Sequence, residues 1–141
     1  MKKYSFPLAK VLRVRRIEEN QAAARLAAAR IIANAAAVRE AESRLALATR
    51  CARHGLQPAA SFLAWAETTM LAGEALSQAK AEVRCTEADV EARRSEWSSA
   101  AARVSALEHL DERGRATHDV ERRRDETKTA DDIVTTRWDR P

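Results

Sequence analysis

Large and small apolar residues recur along this chain at a period of seven. Ile17, Ala24, Ile31, Val38, Leu45 and Ala52 stand at strict heptad spacing, and a second line through Val14, Gln21, Ala28 and Ala35 flanks them. A later line runs through Leu76, Val83, Val90, Trp97 and Val104, accompanied by Ala79, Ala100 and Leu107. A sustained seven-residue repeat keeps one stripe facing a partner only if two helices supercoil left-handedly. These lines therefore predict two long helices with Ile17, Ala24, Ile31, Val38, Leu45, Leu76, Val83, Val90, Trp97 and Val104 as the shared core. The second line breaks near Asp111. A weaker stripe in another phase follows at Ala116, Val120, Thr127, Ala130 and Val134.

Helix breakers are few. Prolines occur at 7, 58 and 141, and glycines at 55, 73 and 114. Residues 8–54 contain neither, and a helix of that length runs about 70 Å at 1.5 Å per residue. Pro7 suits a first turn, with Ser5 as a candidate cap before it. His54-Gly55 is a candidate C-terminal stop with Pro58 beyond it. Ser61 can cap a following segment, which Gly73 either ends or lets pass. The pattern predicts a first long helix over about 7–54, a bend and short helix over 55–74, and a last long helix over about 75–137. Two heptad segments joined by one break fold most simply as an antiparallel hairpin. The expected fold is all-α: a long antiparallel two-helix coiled-coil hairpin, one elongated domain over 1–141.

Composition narrows the picture. Of the 141 residues, 31 are Ala, which inflates the 45% apolar content, and only 4% are aromatic. A buried Ala contributes about one methyl group, on the order of 0.8 kcal/mol. A compact globule built this way would have a poor core, whereas a narrow helical seam suits it. Charge is uneven: the balance is +8 over residues 1–53, −3 over 54–102 and −1 over 103–141. That asymmetry favours pairing of the first helix with the second.

Site chemistry is sparse. Three widely separated glycines form no phosphate-cradling loop. His54, His109 and His118 have no His or Cys partner at helical spacing, and His118 with Glu121 reads as a surface pair. Cys51 and Cys85 show no metal spacing and read as small packing residues in a reducing compartment. The expectation is no catalysis, no cofactor and no metal. No apolar run approaches the ~20 residues that span a bilayer, and no secretion leader is read at the basic start Met1-Lys2-Lys3. A cytoplasmic location follows as an expectation.

The opening Phe6-Pro7-Leu8, then Val11-Leu12-Arg13-Val14-Arg15 with Glu18 and Glu19, resembles the start of the FliJ family of flagellar type III export proteins. Ala106-Leu107-Glu108-His109-Leu110-Asp111-Glu112-Arg113, Glu126-Thr127-Lys128 and Asp131-Asp132 resemble its C-terminal half. That family usually has Asp-Glu as the last pair and Gln after the earlier Glu; here Asp132 and Thr127 stand in those places. The resemblance implies an antiparallel coiled coil similar to the stalk of rotary ATPases. It implies binding to the hexameric export ATPase, promotion of its assembly and activity, and contact with the cytoplasmic domain of the export gate. Export chaperones are further implied partners, and the location implied is peripheral to the inner face of the cell membrane at the export apparatus. Paralogues serve virulence-type secretion systems.

On that basis the basic cluster Lys2, Lys3, Lys10, Arg13, Arg15 and Arg16, with Arg122, Arg123 and Arg124, is the expected ATPase-ring contact. Phe62, Trp65, Met70, Leu71 and Leu76 are the expected gate contact. The alternatives are solvating charges at the first site and closure of the hairpin end at the second. Rival readings are a general coiled-coil scaffold or a basic nucleic-acid-binding coiled coil, and, within the resemblance, the equivalent stalk of a virulence-type secretion system. The nucleic-acid reading is disfavoured because the charge lacks interleaved aromatics. A monomeric hairpin is expected.

Overall fold

In the computed structural model the described residues are 3–52 and 58–138, with side chains described to 132. They form two helices, α1 (Ala9–Ala52, 44 residues) and α2 (Ala59–Trp138, 80 residues). The chain resolves into two compact units, Met1–Glu19 with Ser99–Pro141, and Asn20–Ser98. In each, a segment of α1 packs antiparallel on a segment of α2. In the first, Tyr4 meets Asp111 and Arg16 meets Glu108. In the second, Arg25 pairs with Glu96, Arg39 with Glu82, and Arg50 with the Thr68 carbonyl, so partners move back along α2 as α1 advances. This is the expected all-α helical hairpin.

The helix limits differ from those expected. The first backbone bonds at the start of α1 run from Ala9 N–H to the Phe6 carbonyl and from Leu12 N–H to Leu8. The start thus falls two residues after Pro7. The short helix or bend over 55–74 is not a separate element, because residues 59–74 belong to α2. Phe62 N–H already bonds the Pro58 carbonyl, which places Ser61 inside the helix, not at its cap. A proline just before the first turn loses no helical hydrogen bond. Gly73 lies within α2 with open space beside it and no positive φ, so the helix passes it. The expected stop at His54-Gly55 lies outside the described residues, as does Lys2.

The seam on α1 is a different one from the seam expected. Ala22, Leu26, Ala29 and Ala36 are buried, Ala36 completely, with Leu12 near the start of the helix. Ile17, Ile31, Val38 and Leu45 are 51–70% exposed, and Ala24 is exposed with them. The expected core line is therefore on the outside of α1. On α2 the line holds better: Leu76, Val83 and Val90 are half-buried, Val104 and, off the line, Ala79 are buried, and Trp97 is 37% exposed.

Two physical reasons favour this choice. Alanines on one helix let the backbones approach while the other supplies the bulk, and interaxial distance is set by the side chains at the contact. Facing the Ala line inward also brings Arg16, Arg25 and Arg39 beside Glu108, Glu96 and Glu82. Each pair is about half exposed and worth at most about 1 kcal/mol. Three such pairs favour this register over one that parts the charges.

We expect a double-mutant cycle on Arg39→Glu and Glu82→Arg, read by urea unfolding, to give a coupling of about 0.2–1 kcal/mol. The charge-swapped double variant should regain most of the loss. No coupling would mean that seam shape alone sets the register.

Residues 119–132 of α2 are all exposed. The stripe expected at Ala116, Val120, Thr127 and Ala130 therefore covers nothing in the structure. Thr127 and Thr129 donate instead to the carbonyls of Arg123 and Asp125. Cys51 and Cys85 are free and exposed, not packing residues.

Candidate functional site

The first unit carries a groove of about 930 Å³ where the segment before α1 crosses α2. Its walls include Lys3, Tyr4, Arg13, Arg16, Asp111 and Arg115. Tyr4 anchors the crossing. Its hydroxyl donates to the Asp111 carbonyl at 3.2 Å, its ring lies 5.6 Å from the His118 ring, and the Arg115 guanidinium sits 6.0 Å from its centroid. Gly114 makes this possible. A Cβ there would collide with the Tyr4 hydroxyl and crowd its ring carbons at 3.3 and 3.4 Å.

Asp111 is the electrostatic centre of the groove. Its Oδ2 accepts from Arg115 at 2.7 Å, while its buried Oδ1 has no hydrogen-bond partner among the described residues. The hydrogen bond from Arg115 holds the carboxyl below its ordinary value against desolvation, and Tyr4 and Arg16 lower it further. Burial pushes the Tyr4 phenol above its ordinary value, Asp111 adds to that rise, and Arg115 opposes it.

The expected ATPase-contact residues fall into distinct environments. Arg13 and Arg16 line the groove, and Arg16 also pairs with Glu108 at 2.7 Å. Arg15 turns to Glu18 at 2.7 Å along the seam. Lys10 is exposed. Arg122 is shared between Asp119 and Glu126, at 3.7 and 3.8 Å. Arg123 and Arg124 line a separate shallow groove with Val120, Thr127 and Lys128. Tyr4, Asp111 and Arg115 were not singled out from sequence as site residues. The signal available was a lone glycine, Gly114, inside a helical run, which often marks a close approach.

The expected gate-contact residues lie in the second unit. Phe62, Met70 and Leu71 are exposed, with Leu63 beside them. Leu71 also lines a shallow groove with Ser43, Ala46, Arg50, Thr68, Ala72 and Ala75. Trp65 is half-buried, and its indole N–H donates to the Arg50 carbonyl at 3.2 Å. That carbonyl is in the last turn of α1, where helical acceptors lack intrahelical partners. Trp65 thus caps α1 as well as stacking 5.8 Å from Phe62. Leu76 is half-buried in the α2 seam.

Among the described residues no cluster of His, Cys, Asp and Glu is arranged to hold a metal, and no helix is long and apolar enough to cross a membrane. Comparison with curated proteins and with solved structures finds no match. A family model described as "Flagellar FliJ protein" matches residues 4–141, spanning both helices, the Tyr4 crossing and both groups of candidate contact residues. With essentially the whole chain matched, this helical hairpin belongs to the FliJ family and is a protein associated with flagellar export.

Proposed function

We propose that the chain acts by contact: it binds the hexameric export ATPase, promotes its assembly and turnover, and couples it to the cytoplasmic domain of the export gate. The reading rests on family membership and on one structural observation. Lys3, Arg13, Arg16 and Arg115 gather around the groove at the start of α1. Four cations against the two carboxylates Asp111 and Asp119 leave the groove net positive, which suits an acidic protein surface, and such charge steers association. The chain itself performs no chemistry in this reading. It works in the cytoplasm, peripheral to the membrane at the export apparatus, and export chaperones are further candidate partners.

The test separates contact from hairpin stability. Lys10 and Arg13 have no ion pair among the described residues, so reversing them leaves the helix pairing intact. Lys10→Glu with Arg13→Glu should cut stimulation of the purified export ATPase about tenfold or more at low salt, as expected of reversed steering charges. Far-UV helicity should hold. Stimulation undiminished by the double change overturns the ATPase reading.

For the gate, Phe62, Met70 and Leu71 are the contact residues we propose, with Trp65 and Leu76 supporting them from the seam. Met70→Ser with Leu71→Ser should abolish pull-down by the gate's cytoplasmic domain. Trp65→Ala is a poorer probe, because it also removes the cap on Arg50.

A further inference from the structure

The two glycines inside α2 differ. Gly73 has open space beside it, whereas Gly114 lies under the Tyr4 ring and hydroxyl. Among residues other than proline, glycine is the least favourable inside a helix, so α2 gives up local stability at 114. What it gains there is a seat for Tyr4. With no Cβ in the way, the Tyr4 hydroxyl donates to the Asp111 carbonyl at 3.2 Å and joins residues 107 apart in sequence.

This seat orders more than one ring. Arg115, next to Gly114, is held from two sides. Its guanidinium donates to Asp111 Oδ2 at 2.7 Å and lies 6.0 Å from the centroid of the Tyr4 ring. The Arg115 side chain is otherwise open, 66% exposed, so these contacts are what restrict its rotamers. Lys3 precedes Tyr4 in the chain and depends on the same anchor. Arg13 and Arg16 reach the groove from α1 and need no such help.

We propose that Tyr4 is a positioning residue: seated on Gly114, it fixes Lys3 and Arg115 beside Arg13 and Arg16 before an acidic partner surface arrives. The physical gain is preorganisation. A long cationic side chain that is ordered only on binding weakens affinity by about two- to tenfold. The inference rests on the reading of this groove as the ATPase contact, and it adds what prepares the groove for that contact.

The test titrates the full chain against the purified export ATPase and reads two quantities: the concentration for half-maximal stimulation and the plateau. Gly114→Ala should raise that concentration about threefold to tenfold at low salt, with the plateau kept. Helicity should hold or rise in the same variant, because Ala is the better helix former. A merely structural role would move helicity and stimulation together; positioning parts them. Tyr4→Ala should match Gly114→Ala. The two changes combined should be no worse than either alone, since both remove one contact. Tyr4→Phe keeps the ring over Gly114, His118 and Arg115 and loses only the hydroxyl, so it should lie nearer the parent than Tyr4→Ala. The proposal is overturned if Gly114→Ala and Tyr4→Ala leave the half-maximal concentration unmoved, if the double variant shows additive losses, or if Tyr4→Phe is as weak as Tyr4→Ala. Lys10→Glu with Arg13→Glu tells the two possible failures apart. If that variant loses stimulation while Gly114→Ala and Tyr4→Ala match the parent, positioning alone falls. If it stimulates undiminished, the ATPase reading falls and the positioning proposal with it.

Discussion

Ala36→Asp should largely unpair the hairpin in the second unit, while Val38→Asp, two residues away, should be tolerated. Ala36 is fully buried in the seam and Val38 is 57% exposed. Ala36→Asp loses helix propensity, up to about 0.7 kcal/mol, whereas Val38→Asp is nearly neutral in that respect. Ala36→Asp moreover places a carboxylate in a dry contact without a partner, a penalty of several kcal/mol in real proteins. Total stabilities are about 5–15 kcal/mol, and this seam is mostly methyl groups, so a loss of about 3 kcal/mol is a large fraction. Urea unfolding followed by far-UV circular dichroism would show the midpoint of Ala36→Asp collapse while that of Val38→Asp stays near the parent. Ala36→Leu gives an independent check. Extra methylenes in a closed contact cost about 1–3 kcal/mol. If Val38→Asp were the damaging change, the heptad line read from sequence would be the true seam.

The second large effect concerns Tyr4, the sole tyrosine of the chain and hence a clean optical reporter. Gly114→Ala favours α2 by about 0.8–1.0 kcal/mol in helix propensity. It also puts a methyl where the Tyr4 hydroxyl lies. The ring must leave, giving up the Asp111 hydrogen bond, the His118 contact and the Arg115 contact together. The variant should keep or gain helicity yet release the segment before α1. Absorbance at 295 nm should then show the phenol ionising near its ordinary value of about 10, whereas the parent ionises later because burial and Asp111 raise it. An unchanged titration would mean that Tyr4 does not rest on Gly114.

The same contacts fix the pH window of that crossing. Tyr4 has a raised value when folded, so its contribution is complete below about 10 and is lost as pH rises through the folded value. Asp111 has a lowered value, so its contribution is complete above about 4 and is lost as pH falls through the folded value. The segment should stay docked between these limits and detach on either side.

Much of the architecture was legible in residue order. The absence of Gly and Pro over 8–54, the Ala content and the heptad repeats are local properties, and local propensity with period suffices to dictate long helices. The family resemblance at both ends was carried by short motifs in the same way. The single break between two heptad segments gave the antiparallel pairing, and charge asymmetry favoured it, because Arg on one helix and Glu on the other can be read before any contact is known.

The choice of seam was not legible. Two heptad lines compete on α1, one of Ile, Val and Leu and one mostly of Ala. Hydrophobicity alone favours the first. The structure takes the second because helix pairing depends on what α2 brings, including glutamates placed for Arg16, Arg25 and Arg39. Periodicity within one helix contains no information about its partner's shape. The position of Tyr4 on Gly114 was hidden for a related reason, since it joins residues more than a hundred apart in sequence.

Sequence by itself thus determined that the chain is helical, heptad-patterned, basic at its start and of this family, because those properties are written locally. Tertiary structure alone decided which face of α1 is spent on α2, and so which apolar stripe is left exposed. Complementarity between two surfaces exists only once both are placed.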